Sequence, residues 1–505
     1  MTNLPEIISQ LHRPSIGWLV LGLFIAYRIG LIIWRVFFHP LAGFPGPKLY
    51  AASYLPFLTQ NMLKGTLAKD MSAIHEKYGP MVRISPNRLA IDGSIAWPQI
   101  FARRPHQPEF DKVPEFYGTE KRVGLLPSFR EDHRRQRRAL AHAFSESALT
   151  QQEGYIKNYV DLLMKRLGEH AQAGRAVDIV RWYNYLTFDI IGDLAFGDPF
   201  YSLERSDYHP WVALIFSSIK GGSKYLFLRQ YPLFRPLLYF LIGSDDIKNK
   251  TENEELAKIK MEKRLALGVN ARQDFFTYIL RNDKEGKAIT HEENILNARA
   301  LIVAGSETTA TAMSGLTFQL THNPEIYDLL VREIRSAFNS EEEINMKSTA
   351  SLQYLHACME EILRIYPPAA ETPPRVSPGD VVNGRFIPKG TVVTVYQWAT
   401  THSPRNFTDP ELFKPERFLP ASHPLYDRRY QNDNKAASKP FSAGPRDCIG
   451  KNLAYAEMRL VMSRLLWKYD LEAVEGQEDW VSAQRVYVIY DKGPFMVNLK
   501  PRAGA

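Results

Sequence analysis

Residues 16–34, IGWLVLGLFIAYRIGLIIW, run for nineteen positions with a single charge, Arg28. As a helix rising about 1.5 Å per residue the run covers roughly 28 Å, close to the thickness of a bilayer's hydrocarbon core. A buried core helix and a cleaved signal peptide are the competing readings. A signal peptide has a shorter apolar stretch, about 7–15 residues, and here Arg35 and His39 follow the run. The segment therefore reads as a retained membrane anchor, with Arg28 near enough to its C-terminal end to snorkel toward the interface. Arg28, Arg35 and Lys48 lie after the start of the span, against Arg13 and the amino terminus before it. This excess places the body of the protein on the cytosolic side. No other segment of comparable length lacks charges, so the chain is expected to cross the membrane once.

Residues 39–48, HPLAGFPGPK, contain three prolines and two glycines, a composition that cannot continue a helix and makes a stiff turn. The expected organisation is an anchor over 1–38, a proline/glycine hinge over 39–48 and one large catalytic body over 49–505. In that body, 81–85 and 88–92 alternate around Pro86-Asn87 as a hairpin, and 386–387 with 391–396 flank Pro388-Lys389-Gly390 as a second one. Apolar residues three and four apart predict helices over 151–173, 252–267, 290–323, 324–339, 351–366 and 449–469. The fold class is mainly α with small β-sheets. Hydrophobic residues at 45% and charged residues at 23% of 505 suit a large globular core and argue against disorder. The net charge of +8 does not by itself choose between nucleic acid, membrane and acidic protein as a partner. The densest basic run, Arg130, Arg134, Arg135, Arg137 and Arg138, lies on one helix without interleaved aromatics, which speaks against nucleic acid.

The chain has two cysteines, Cys358 and Cys448, too few for a disulfide scaffold and in keeping with a reducing compartment. Cys358, in HACMEEILR, reads as a small buried side chain. Cys448 differs: in FSAGPRDCIGKNLAYAEMRL, Gly444, Pro445 and Gly450 surround the thiol and an apolar-periodic helix begins just after it. Backbone N–H groups at a helix start favour a thiolate, and glycines let a flat ligand approach the backbone. One sulfur with no second cysteine or histidine beside it suits neither zinc nor an iron–sulfur cluster. Heme iron needs only one.

Phe441, Gly444, Arg446, Cys448 and Gly450 resemble the F-x-x-G-x-R-x-C-x-G heme-binding signature of the cytochrome P-450 monooxygenases. Glu361 and Arg364 are similar to the family's E-x-x-R pair, and 415–418 to its P-E-R-F segment. The resemblance implies a buried ion network of Glu361, Arg364 and Arg417 supporting the heme segment. Residues 304–309, AGSETT, resemble the oxygen-activation segment of the family's long central helix. Glu307 and Thr308 are thereby implied as the groups that deliver protons during O₂ activation. Where many members have W-x-x-x-R, this chain has His133 and Arg137, and with Arg375 and Arg446 these are implied to hold the heme propionates.

By the same resemblance the fold is that of a cytochrome P-450 with an N-terminal anchor helix, closest in pattern to fungal microsomal members near the isotrichodermin hydroxylases. The implied reaction inserts one oxygen atom of O₂ into an apolar small molecule, by hydroxylation or epoxidation, in terpenoid or polyketide secondary metabolism. The implied cofactor is heme b, with electrons from NADPH through a separate NADPH-cytochrome P-450 reductase, since the chain has no nicotinamide or flavin fingerprint. Arg134, Arg135, Arg138, Lys439 and Lys451 are expected to form the reductase-docking face. The expected location is the endoplasmic reticulum membrane. The substrate pocket is expected from 108–127, 209–241, 303–308, 369–374 and 490–495, with Phe110, Phe116, Phe216, Leu301 and Phe495 on its walls. A heme isomerase, dehydratase or desaturase of the same fold, and a non-catalytic apolar-ligand carrier, remain as alternatives. Retention of an acid–threonine pair at 307–308 favours O₂ chemistry.

Overall fold

The apolar run forms a helix over Arg13–Ile33 that continues in a wider turn through Trp34–Phe38. No residue of the span from Gly17 to Phe38 is buried in the rest of the chain, and side chains such as Trp18, Phe24 and Phe38 lie bare. A row of exposed aromatics and leucines on one helix is what a bilayer, rather than water, accommodates; the helix is a candidate membrane anchor. The computed structural model describes residues 13–105, 107–117, 123–212, 244–268, 272, 274–282 and 289–502.

After the anchor, the proline/glycine segment turns as its composition predicts, and it is fastened to the body on both sides. Pro45 O accepts from Arg83 N at 2.8 Å and Gly43 O from Arg385 at 2.6 Å. A Cβ at Gly46 would stand 2.3 Å from Arg83 O, so only glycine permits this approach. Buried Arg83 also donates to Arg35 O at 2.8 Å, which ties the exit of the anchor to the first strand.

Met81–Ser85 and Arg88–Ile91 form the first hairpin, antiparallel as the sequence suggests. The second expected hairpin does not form. Arg385–Ile387 pairs back with Asp380–Val382, while Val392–Thr394 crosses to run parallel to the 88–90 backbone and antiparallel to Arg375–Val376. Burial explains the choice: Val393 and Thr394 are enclosed, whereas Phe386 is 60% exposed, and a strand with an all-buried face belongs in the larger sheet. The result is a five-stranded sheet completed by Asp111–Lys112 at its far edge.

The helices form the bulk. The central helix, His291–His322, starts at Thr290, whose hydroxyl accepts from Glu293 N while the Glu293 carboxylate accepts from Thr290 N. This reciprocal cap satisfies two otherwise orphaned donors. Its neighbour, Ile179–Phe196, is buried along nearly its whole length. Gly305 is where the two touch: a Cβ there would meet Ile191 Cδ1 at 2.8 Å. The room that Gly305 leaves is thus filled by a packed helix rather than left beside the backbone for a ligand.

Helix Gln353–Ile365 carries Glu361 and Arg364, joined through two oxygens at 2.7 Å each. Arg417 Nε adds a bond to Glu361 Oε1 at 3.1 Å and pairs with Asp433, and all four side chains are fully buried. Two cations face two anions, so the set is neutral. Its remaining donors go to backbone: Arg364 to Thr401 O, Pro410 O and Leu412 O, Arg417 to Thr408 O and Asp409 O. Removing one member leaves a buried charge uncompensated. Arg417→Met is therefore expected to destabilise the fold by about 3–5 kcal/mol, seen as an earlier urea midpoint. Arg429→Met, which breaks the exposed pair with Asp427, is expected to leave that midpoint in place.

Candidate active site

The segment from Phe441 to Gly450 is a loop folded on itself, with Cys448 N donating to Phe441 O at 2.8 Å. Gly444 sits at φ +77°, and a Cβ there would fall 2.0 Å from Phe101 O, so backbone conformation and close approach both demand glycine. Helix Lys451–Lys468 follows, capped at Gly450. The Cys448 side chain is exposed, yet burial raises its thiol above the ordinary value, with the Gly450 N–H and Arg137 acting against that rise. Both hold for a sulfur that faces a cavity walled by protein. The helix start acts in the direction the sequence suggests but burial outweighs it, so a lasting thiolate calls for a bound cation. Cys358 is fully buried and its thiol is pushed well up, by burial first and then by Glu416 and Glu333; it has no access to a ligand.

Arg446 Nε donates to Glu109 Oε1 at 2.6 Å and its NH1 to Ser128 O at 2.9 Å, while its NH2 is buried without a partner among the described residues. Arg375 NH1 donates to Phe110 O at 3.3 Å, and among the described residues its Nε is likewise buried without a partner. His133 is buried on helix Arg130–Ala141, and its pKa falls to about 3, through burial and then the charges of Arg446, Lys112, Arg137 and Arg375. It stays neutral at physiological pH and can donate one N–H. Lys112, which sequence reasoning missed, joins this group: it donates to Tyr117 Oη at 2.9 Å, and burial with Arg375 and Arg446 beside it pushes its pKa well down. No sequence pattern around it marks it out. Arg137 instead faces the thiol loop, donating to Asp447 O at 2.5 Å and Asp447 Oδ1 at 2.8 Å.

Three buried basic groups, Lys112, Arg375 and Arg446, with Glu109 the carboxylate that reaches both arginines, are costly to charge unless further anions join them. Two carboxylates on a flat ligand, together with one sulfur donor at Cys448, answer that demand. The residues present fit heme b.

On the central helix, Ala304 is exposed although the turns after it are enclosed, and Thr308 beside it is half-buried. The Thr308 hydroxyl donates to Ala304 O at 2.6 Å, the bond one turn back that such a threonine favours. These two residues line open space. Glu307 does not: it is buried and ion-paired with Lys492, with Thr311 Oγ1 donating to its Oε1 at 3.3 Å. No hydrogen bond joins Glu307 to Thr308 among the described residues.

Of the residues expected on the substrate pocket's walls, Phe110 and Phe495 pack into the core, Phe495 against Phe318 and Trp480. Leu301 is also buried, Phe116 is half-buried, and Phe216 lies outside the described residues. A cleft of about 510 Å³ opens between helix Arg130–Ala141 and residues 100–109, floored by Pro445 and Arg446. Arg130, Arg134 and Arg138 reach it from the helix. Arg135 points elsewhere, forming ion pairs with Glu293 at 2.5 Å and Asp132 at 3.1 Å.

The family model of the cytochromes P-450 matches residues 45–499. The chain belongs to the cytochrome P-450 family. It is 41% identical over 487 residues to a trichothecene C-15 hydroxylase from Fusarium sporotrichioides, covering 95% of this chain and 97% of that protein. It is 40% identical to the cytochrome P-450 monooxygenase astA of Talaromyces wortmannii, over 96% and 97% of the two chains. An averantin hydroxylase of Dothistroma septosporum is 37% identical over 95% and 91%. This cytochrome P-450 is a heme-thiolate monooxygenase that works with heme, O₂, a substrate and a redox partner. Nothing in these relatives favours an isomerase or a carrier. Cys448→His is expected to abolish the red-shifted carbon monoxide spectrum of thiolate-ligated ferrous heme, and Cys358→Ser to retain it; the converse pair of spectra would reassign the ligand.

Proposed function

We propose that this cytochrome P-450 is a single-pass enzyme of the endoplasmic reticulum membrane that hydroxylates or epoxidises an apolar terpenoid or polyketide. Its electrons come from NADPH through NADPH-cytochrome P-450 reductase. The supporting observation is one accessible sulfur, Cys448, beside three buried basic groups, Lys112, Arg375 and Arg446. Relatives named for hydroxylating trichothecene and averantin support the substrate class. The chain divides into an anchor over 1–38, a turn over 39–48 and the catalytic body over 49–505. With basic residues following the span, the body stays cytosolic.

Bound heme supplies the redox chemistry: O₂, two electrons and two protons become one oxygen atom inserted into substrate and one water. Cys448 would ligate the iron, its thiolate donating electron density to it. Phe441, Gly444 and Gly450 shape the loop around it, and Arg137 braces that loop through Asp447. His133, Arg375 and Arg446, joined by Lys112, bind the two propionates by charge-assisted hydrogen bonds. Thr308 holds water in the cavity by its hydroxyl, and Glu307 is the acid that resupplies protons. The reductase docks over the cleft through Arg134 and Arg138 with Lys439 and Lys451, its encounter weakening as salt rises.

The following measurements test this. Deleting residues 1–38 is expected to shift much of the protein from the microsomal to the soluble fraction, whereas protease protection of the whole body in sealed microsomes would overturn the orientation. A panel of fungal terpenoids and polyketides, screened by heme-spectral shift, identifies a ligand. With that ligand, Thr308→Ala is expected to keep heme content and binding while NADPH consumption diverts to hydrogen peroxide, since positioned proton transfer is worth about 10²–10⁴-fold. Full product per NADPH in that variant would remove Thr308 from the proton path.

A further inference from the structure

Lys492 lies where the C-terminal hairpin, Arg485–Tyr487 with Ile489–Asp491, hands over to the last strand, Met496–Pro501. Its side chain is 3% exposed. The ammonium ion-pairs with Glu307 Oε1 and donates to Thr311 Oγ1 at 2.7 Å, and the Thr311 hydroxyl donates onward to the same Oε1. Glu307 and Thr311 stand one turn apart on one face of the central helix, and the three groups close a ring. Glu307 Oε2 is buried and has no partner among the described residues.

The ring joins the central helix to an element that is itself held elsewhere in the fold. Apolar residues of similar volume often hold two elements together equally well. The element that presents Lys492 is also fixed at its far side: Val486 N donates to Gly65 O at 2.8 Å and Tyr487 Oη to Leu63 O at 3.1 Å. A charged group delivered from a fixed element is how a protein sets the orientation of another functional group.

We propose that Lys492 is a positioning residue for Glu307, holding one carboxylate oxygen through its ammonium and Thr311 and so fixing the direction in which the other oxygen points. The inference rests on the reading that Glu307 resupplies protons. The C-terminal hairpin thereby fixes this buried, ion-paired carboxylate in place.

The test uses the heme-loaded full chain as wild type, Glu307→Gln, Lys492→Met, Lys492→Arg and the Glu307→Gln/Lys492→Met double variant. Glu307→Gln and Lys492→Met are each expected to lower product per NADPH by about tenfold, short of the full value of proton-transfer catalysis because water still reaches the cavity. The substrate-induced spectral shift is expected to keep its midpoint. Lys492→Arg is expected to restore product per NADPH to near wild type, and the double variant to be no worse than Glu307→Gln alone. Independently of turnover, backbone amides of 305–311 and 489–495 are expected to exchange hydrogen faster in Lys492→Met than in wild type or Lys492→Arg. If Lys492→Met fails to hold heme, Lys492→Gln is judged by the same criteria. Normal product per NADPH in Lys492→Met, or losses that multiply in the double variant, would refute the positioning role while leaving Glu307 in the proton path. Normal product per NADPH in Glu307→Gln would refute both.

Discussion

Four buried charges that cancel, Glu361, Arg364, Arg417 and Asp433, hold together the part of the chain on which the active site depends. Alone, each would be driven out of the interior by the cost of losing water. As a set they are neutral, and their spare donors are taken by five carbonyls between Thr401 and Leu412. Those carbonyls belong to a stretch with little regular structure, which has few ladder bonds of its own to fix it. The guanidinium groups serve as its scaffold, and the chain leaves that scaffold to enter the loop that presents Cys448.

The heme site has the opposite charge balance. Lys112, Arg375 and Arg446 crowd around neutral His133 with Glu109 as the carboxylate that reaches both arginines. The Cys448 thiol is at the same time raised by burial. An arrangement with three basic groups around one carboxylate at one end and a protonated sulfur at the other is completed by a ligand carrying two carboxylates and a metal cation.

The central helix shows how one small residue sets two relations at once. Gly305 lets Ile191 of the neighbouring helix come within a distance no Cβ would allow. That contact turns Ala304 and Thr308 to open space and leaves Glu307 on the face shared with Thr311, where Lys492 meets it. The acid and the threonine are adjacent in sequence but look in different directions, as a rotation of about 100° per residue requires.

Much of this was legible in the amino-acid order. The apolar run at 16–34, the amphipathic helices and the loop around Cys448 are local patterns, and spacing alone carries them. The helix Ile179–Phe196 was not picked out by spacing, because a segment buried on every side has no polar face to mark a period. The hairpin expected across Pro388-Lys389-Gly390 failed for a related reason: a turn signal says that the chain reverses, not which strand it then joins. Asp433, Lys112 and Lys492 lie far in sequence from the residues they serve, with nothing around them to mark them out. Local chemistry determined which cysteine could bind iron and which segment could enter a membrane. Only the tertiary structure decided which charges meet, because a buried ion pair depends on two distant segments being brought within a few ångströms and shut off from water together.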